Sequence, residues 1–305
     1  MPKKNMELQE SLRQLFAAQM CDWPLAAKNF ADLAHVRAKI FDFDGFSVRV
    51  QCNPARAVSS AAKVDAASIA ARPCFLCAAN RPAQQAAVDA GAWEVLVNPF
   101  PIFSQHFTLA YKQHQKQEIA PYIADFLCFV RNLPDYVVFY NGPRCGASAP
   151  DHLHFQAGTK SFLPLIDDYF RLKSTRVRMV DTVGSAKIFT LDGCLRTVFC
   201  IEGKRDDALQ IAFMKLYNSL MTEPLVEPMM NVVACRERDC TYMFVLPRGA
   251  FRPWQYAADD AEKQLLVSPA AVEMAGVFVT PNEAHFDKIT ADDIADIFEQ
   301  VTLKI

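Results

Sequence analysis

His152-Leu153-His154-Phe155-Gln156 alternates polar and apolar side chains with period two. In a β-strand, residues two apart share a face, about 7 Å from one to the next. His152, His154 and Gln156 then project together, while Leu153 and Phe155 turn to a core. Ahead of them, within 141–158, stand Gly142, Gly146 and Ser148, the glycines being two of only ten in the chain. Glycine lets backbone N–H groups close on an anion, and successive donors of this kind form a nest for phosphate. A phosphate-cradling loop that feeds two imidazoles and an amide points to chemistry at phosphorus. A plain metal site accounts for two histidines at this spacing as well, and spacing alone leaves both readings open.

Cys74-Phe75-Leu76-Cys77 is the second chemical signal. Two thiolates from one tight turn fill adjacent positions of a tetrahedral zinc, and the same CxxC serves thioredoxin-like redox chemistry. No second CxxC and no finger-type histidine spacing follows, so further ligands must come from distant segments. Arg56, Arg248 and Arg252 follow strand-like runs. A guanidinium fork pairs bidentately with phosphate oxygens. A solvated arginine is the competing reading for each.

The string GAS-x-x-x-HLHFQA, read over eighteen ungapped positions, resembles the active-site strand of the histidine-triad (HIT) superfamily. It is similar to the transferase branch, where Gln holds the last triad position. That branch includes galactose-1-phosphate uridylyltransferase, diadenosine tetraphosphate phosphorylase and the GDP-L-galactose or GDP-glucose phosphorylases, the last being nearest in this string. The resemblance implies that His154 attacks the α-phosphorus, an imidazole being a good nucleophile when neutral. It implies that Gln156, Ser148 and backbone donors around Gly146 stabilise the transferring group. The resemblance also implies that Asn98 and Phe100 fall near the base and ribose, and that Asn141 contacts the reacting nucleotide. By position, Cys74, Cys77, His114 and His152 match the zinc ligands of the uridylyltransferases, a closed and hence structural set. His106 is the rival for the third ligand, and two buried free thiols on a hairpin are the alternative to zinc. Arg248 and Arg252 follow a strand pair, 228–233 and 242–248, that resembles one in the phosphorylases.

The elements that must position these residues show in the periodicity. Leu8, Leu12, Leu15 and Phe16 mark a helix over 5–20. Asp44-Gly45 between alternating residues of 36–51 predicts a hairpin. Strands are predicted at 93–97, 106–110 and 135–140, with Asn98-Pro99-Phe100-Pro101 as a break and a helix over 121–133. The second half carries a strand at 197–201, a helix over 206–221, the strand pair and a helix capped by Thr290. By the resemblance, the fold is α+β, a HIT-like antiparallel sheet with flanking helices in two degenerate HIT-like halves. The first, 1–165, carries the HxHxQ strand, and the second, 166–305, completes the substrate site; the alternative is one continuous domain.

Composition narrows the class. A chain of 305 residues with 51% hydrophobic content builds a sizeable core. A net charge of −2 with no basic run speaks against nucleic acid and anionic membranes as partners. Glu7, Gln9, Glu10 and Arg13 break the apolar run of the N-terminus, so it reads as an amphipathic helix and not a signal peptide. Ten cysteines without such a peptide fit a reducing, cytoplasmic setting. The expected enzyme moves an NMP group from an NDP-hexose, through a nucleotidyl-histidine, to phosphate or a sugar phosphate. The alternatives are a dinucleoside polyphosphate phosphorylase or hydrolase, and a non-catalytic nucleotide-binding zinc module. Partners are then a nucleotide sugar or dinucleotide and a phosphate acceptor, with the chain a monomer or homodimer.

Overall fold

The strand before the glycine loop is buried at every position, so it needs apolar partners on both faces. The structure, a computed structural model, describes residues 2–56 and 65–305. Helices α1 (Pro2–Asp22) and α2 (Pro24–Asp32) precede the hairpin β1 (Arg37–Phe43) and β2 (Phe46–Cys52). Then come α3 (Ala66–Ala70), β3 (Ala87–Ala90), β4 (Trp93–Val97), β5 (His106–Tyr111), α4 (Ile123–Asn132), β6 (Tyr136–Asn141) and β7 (His154–Thr159). The second half runs α5 (Pro164–Arg171), β8 (Val177–Val183), β9 (Ala186–Leu191), β10 (Phe199–Gly203), α6 (Asp206–Leu220), β11 (Met230–Glu237) and β12 (Cys240–Pro247). It closes with α7 (Ala271–Met274), β13 (Val277–Thr280), α8 (Glu283–Lys288) and α9 (Ala291–Val301).

Among the described residues, ten strands form one antiparallel sheet in the order β3-β4-β5-β7-β6-β11-β12-β10-β9-β8. The order mirrors itself about the β6–β11 pair. Helix α4 joins β5 to β6 on one side, and α6 joins β10 to β11 on the other. Side chains alternate across the sheet. Tyr136, Val138 and Tyr140 of β6 therefore enter a core with α1, α4 and α6, while Val137 and Phe139 enter a core with β2, α5, β13 and α9. The mixed α+β class, the large antiparallel sheet and the flanking helices agree with the sequence expectation.

A smaller sheet, β1-β2-β13, lies on the second core. Its β13 runs parallel to β2, so strands from both ends of the chain share it. The β1–β2 hairpin turns at Asp44-Gly45, where Gly45 takes φ 78°, a left-handed conformation that glycine adopts without a Cβ penalty. Helix α9 begins in a capping box: Thr290 Oγ1 accepts from the Asp293 N–H, and Asp293 accepts from the Thr290 N–H.

Phe155 fixes the register of β7. It is fully buried, stacks on Trp93 at 4.7 Å and meets the edge of Phe126 at 5.1 Å. A slip of one residue would turn Phe155 to the other face and put His154 into this core. One expectation needs correction: β7 begins at His154, not His152. The His152 N–H closes a turn on the Ala149 carbonyl, so His152 precedes the strand that carries His154 and Gln156. Among the described residues, no helix is long and apolar enough to cross a membrane.

Candidate active site and metal centre

His154 is buried at the first position of β7, 4% exposed. Gln117 clamps its backbone, donating to the His154 carbonyl at 3.0 Å and accepting its N–H at 2.8 Å. The ring's Nδ1 lies 2.8 Å from the His152 carbonyl. A carbonyl can only accept, so Nδ1 carries the hydrogen and Nε2 keeps its lone pair. Burial pushes this imidazole down to about 4, the carbonyl bond recovering part of the shift. The ring is thus neutral at pH 7, with a lone pair on an Nε2 that has no hydrogen bond among the described residues. Cavities of about 860, 610 and 320 Å³ lie elsewhere, and His154 lines none of the three.

Gln156, two residues on, faces the same side. Its Oε1 is 3.0 Å from His106 Nε2 and 3.5 Å from Asn98 Nδ2. The donor sense of the first contact follows from the other end of His106. The Ile102 N–H donates to His106 Nδ1 at 3.2 Å. Burial, reinforced by nearby Arg56, pushes His106 down to about 3, so the ring is neutral and its one hydrogen must be on Nε2. Gln156 therefore turns its oxygen to His106 and keeps its amide N–H groups for another partner. This places His106 away from the metal cluster, as the group that sets the Gln156 amide. Asn98 also accepts from the Phe100 N–H at 3.0 Å, which shapes the turn after β4.

Cys74, Cys77, His114 and His152 come together, with one ligand atom from each within 4.8 Å of the others. Cys74 Sγ is 3.2 Å from His152 Nδ1, and Cys77 Sγ is 3.4 Å from His114 Nδ1 and 3.6 Å from His152 Nδ1. A tetrahedral zinc with bonds of about 2.0–2.3 Å has edges of roughly 3.5 Å. His152 Nε2 donates to the Tyr111 carbonyl at 2.7 Å, which leaves Nδ1 as the ligand atom. Although burial raises the Cys74 thiol, the His152 hydrogen bond and two backbone N–H groups bring it down to about 6. Burial and the neighbouring Cys74 sulfur push Cys77 the opposite way. A divalent cation relieves that opposition, and the donor set fits one.

The glycine loop is braced from several sides. Arg72 donates to the Ser148 carbonyl and to Asp151, both at 3.2 Å. Nothing in the sequence singles out Arg72; its place two residues before Cys74 is the one signal that ties it to the site. Gly146 takes φ 93°, and a Cβ there would lie 2.4 Å from the Ala270 Cβ. Its lack of a side chain thus serves packing against the start of α7. Asn141 is buried, its Oδ1 accepting from Asn231 Nδ2 at 3.0 Å and from the Ala271 N–H at 2.8 Å. That pair spans the β6–β11 junction, where Asn141 and Asn231 are register partners.

The three arginines differ. Arg56 donates to the Phe100 carbonyl at 2.8 Å, next to the Asn98 turn. Arg252 donates to Ser268 Oγ at 2.9 Å and lies over the rings of Phe251 and Tyr256, 4.4 and 3.9 Å from their centres. Arg248 corrects the expectation of a phosphate contact. It is 2% exposed, and its five N–H donors go to the carbonyls of Val301, Pro269, Ala250 and Phe251 and to Asn231 Oδ1. A guanidinium has five donors, so none is left for a ligand.

Residues 227–305 match the family model described as GDPGP1-like, C-terminal domain, and residues 15–159 match Domain of unknown function (DUF4922). No curated protein matches the chain. The crystal structure of yeast Ap4A phosphorylase Apa2 is similar at a TM-score of 0.65 and 16% identity, covering 97% of this chain and 94% of that one. Its complex with Ap4A gives 0.67 and 16% with 97% of each covered, and its complex with AMP gives 0.65 and 15% with 98% and 96% covered. At such identity the likeness speaks to the fold.

Proposed function

We propose, for a chain with the HIT-like fold of an Ap4A phosphorylase and a GDPGP1-like C-terminal domain, that it is a nucleotidyltransferase of the phosphorylase type. The observation that carries this reading is His154 itself. Its ring is neutral, oriented through Nδ1 and without a hydrogen bond at Nε2 among the described residues, with Gln156 on the same face.

The reaction takes two steps. His154 Nε2 attacks the α-phosphorus of an NDP-hexose, an N–P bond forms, and the bridging P–O bond breaks to release hexose 1-phosphate. Phosphate, or a sugar phosphate, then attacks the same phosphorus, and the N–P bond breaks to free His154. Gln156 donates to the non-bridging oxygens, where charge concentrates in each transition state. Ser148 and the loop from Gly142 hold the phosphates. Asn98, Phe100, Arg56 and Arg252 contact the nucleotide or its leaving group. The half 1–165 supplies the nucleophile, and 166–305 completes the site. Zinc held by Cys74, Cys77, His114 and His152 would supply folding energy and no chemistry, all four positions being protein ligands. It would also steady His152, whose carbonyl holds His154 Nδ1.

A second reading, a dinucleoside polyphosphate phosphorylase, is favoured by the likeness to Apa2 over nearly the whole of both chains. One experiment addresses both. The protein is incubated with α-labelled GDP-hexose, ADP-hexose and Ap4A without phosphate, quenched in alkali and run on a denaturing gel. Label retained from one substrate, released by added phosphate and absent in His154→Ala, supports the reading and names the substrate. No label from any of them, or normal turnover by His154→Ala, overturns it.

A further inference from the structure

Strands β6 and β7 pair from Tyr136 with Thr159 to Phe139 with Gln156, and then they part. Beyond that point Tyr140 and Asn141 pair with β11, while Phe155 and His154 pair with β5. The glycine loop, 142–153, springs from this opening, with Asn141 at one stem and His154 at the other. Peptide groups that face such an opening have left the ladder, and buried ones cost stability unless other groups meet them.

One side chain meets them here. Gln117 is 1% exposed, and its Nε2 donates at 3.0 Å to the Asn141 carbonyl and at 3.0 Å to the His154 carbonyl. Its Oε1 accepts the His154 N–H at 2.8 Å. A primary amide has two N–H donors, so Gln117 uses both on the two stems of one loop. The backbone around it is held in turn. The Gln117 N–H donates to the Pro150 carbonyl at 3.3 Å, and the Gln115 carbonyl accepts the Leu153 N–H at 2.8 Å. Two residues on, the Ile119 N–H donates to Glu227, a residue of the second half that also accepts from Tyr140 Oη. The amide is thus anchored on both sides of the neck it closes.

We infer that Gln117 is a positioning residue for transfer at His154, closing the neck of the glycine loop and so fixing where the nucleophile stands against that loop. The inference rests on the proposed function and names what holds its central group in place. His152 belongs to the loop and His154 to its stem, so the bond of 2.8 Å from His154 Nδ1 to the His152 carbonyl keeps its length only while the neck is closed. With the neck open, Nδ1 loses that acceptor and the ring hydrogen is free to move to Nε2. An imidazole with its hydrogen on Nε2 has no lone pair there to form the N–P bond.

The test compares the wild type with Gln117→Met, which keeps the length and loses every one of these bonds, and with Gln117→Asn, which keeps the amide one methylene short of its partners. The asparagine variant gives the same readouts where the methionine variant does not fold. Rapid-quench labelling uses saturating α-labelled GDP-hexose, ADP-hexose or Ap4A, whichever labels the wild type. The labelling rate of Gln117→Met should fall about 10²-fold, as a misplacement of about 1 Å can do, with the amplitude unchanged and a smaller fall for Gln117→Asn. Nitrogen-15 NMR of histidine-labelled protein reads the tautomer, the His154 signal being identified by its loss in His154→Ala. The wild type should show hydrogen on Nδ1 alone, and the folded variants a mixture of both tautomers. If the wild type takes no label, the proposed function fails and the tautomer alone decides this inference. A normal rate with an unchanged tautomer in a folded variant overturns it. So does a fall in amplitude alone, which reports fewer folded molecules and no change in the place of His154.

Discussion

His106 donates from Nε2 to Gln156 Oε1 at 3.0 Å because the Ile102 N–H already occupies its Nδ1. The direction of one backbone N–H thus passes through a neutral ring and decides which end of the Gln156 amide faces His106. His106→Phe keeps a ring of similar size and removes the donor. With the amide free to rotate, kcat should fall roughly tenfold to hundredfold, less than the 10²–10³ lost when a charge-stabilising donor is deleted outright. KM should change little, and His106→Asn, which retains an N–H, should recover part of the loss. Steady-state kinetics on the substrate found by the labelling panel settles it; a loss confined to KM would count against this role.

The cysteine–histidine cluster makes a firmer commitment. Protein purified without added metal should hold close to one equivalent of zinc, and Cys74→Ser should hold much less. Metal binding to such a site is folding free energy, so its loss should cost several kcal/mol. In a chain of this size that lowers the melting temperature by roughly 10 °C, at about 2–4 °C per kcal/mol. Elemental analysis and thermal unfolding read the two quantities. Absence of metal from native protein, with Cys74→Ser as stable as wild type, would leave the cluster as two thiols and two imidazoles.

Much of this was legible in the residues because local rules carry it. The Asp44-Gly45 hairpin, the Thr290 cap and the alternation that turns Phe155 inward each depend on a few neighbouring side chains. The CxxC hook declared that it needed distant partners without naming them, and only the turn at Ala149–His152 brings His152 to it. The misplaced start of β7 has the same cause, since a two-residue alternation cannot reveal that its first member belongs to a turn. Arg248 was unreadable for a different reason. An arginine past a strand looks alike in sequence whether its acceptors are phosphate oxygens or carbonyls from 250, 251, 269 and 301. Tertiary closure alone separates the two.

Arg248→Lys tests that distinction. Lysine brings three donors to a site with five acceptors, on a shorter and non-planar head. The unmet buried carbonyls should cost about 2–4 kcal/mol, read by urea unfolding. The KM of the folded fraction should stay within about twofold, on the order of 0.4 kcal/mol or less. A tenfold rise in KM with unchanged stability would return Arg248 to the substrate.

Glu227 gives the pH dependence of stability. It is buried, accepting from Tyr140 Oη at 2.5 Å and from the Ile119 N–H at 2.8 Å. Burial pushes its carboxyl up to about 7, with those two donors pulling part of the way back. An unfolded glutamate titrates near 4.3, so between these values the folded state holds the proton and the unfolded state does not. Stability from this group is therefore fully present below about pH 4.3 and lost as pH rises through 7. The change amounts to about 4 kcal/mol at most across the window. Glu227→Gln keeps an acceptor for the Ile119 N–H and carries no titrating proton. The stability difference between wild type and this variant should move against the wild type from pH 5 to pH 8, as urea unfolding at each pH would show. A difference that stays constant over that range would mean that Glu227 is ionised in the folded protein throughout.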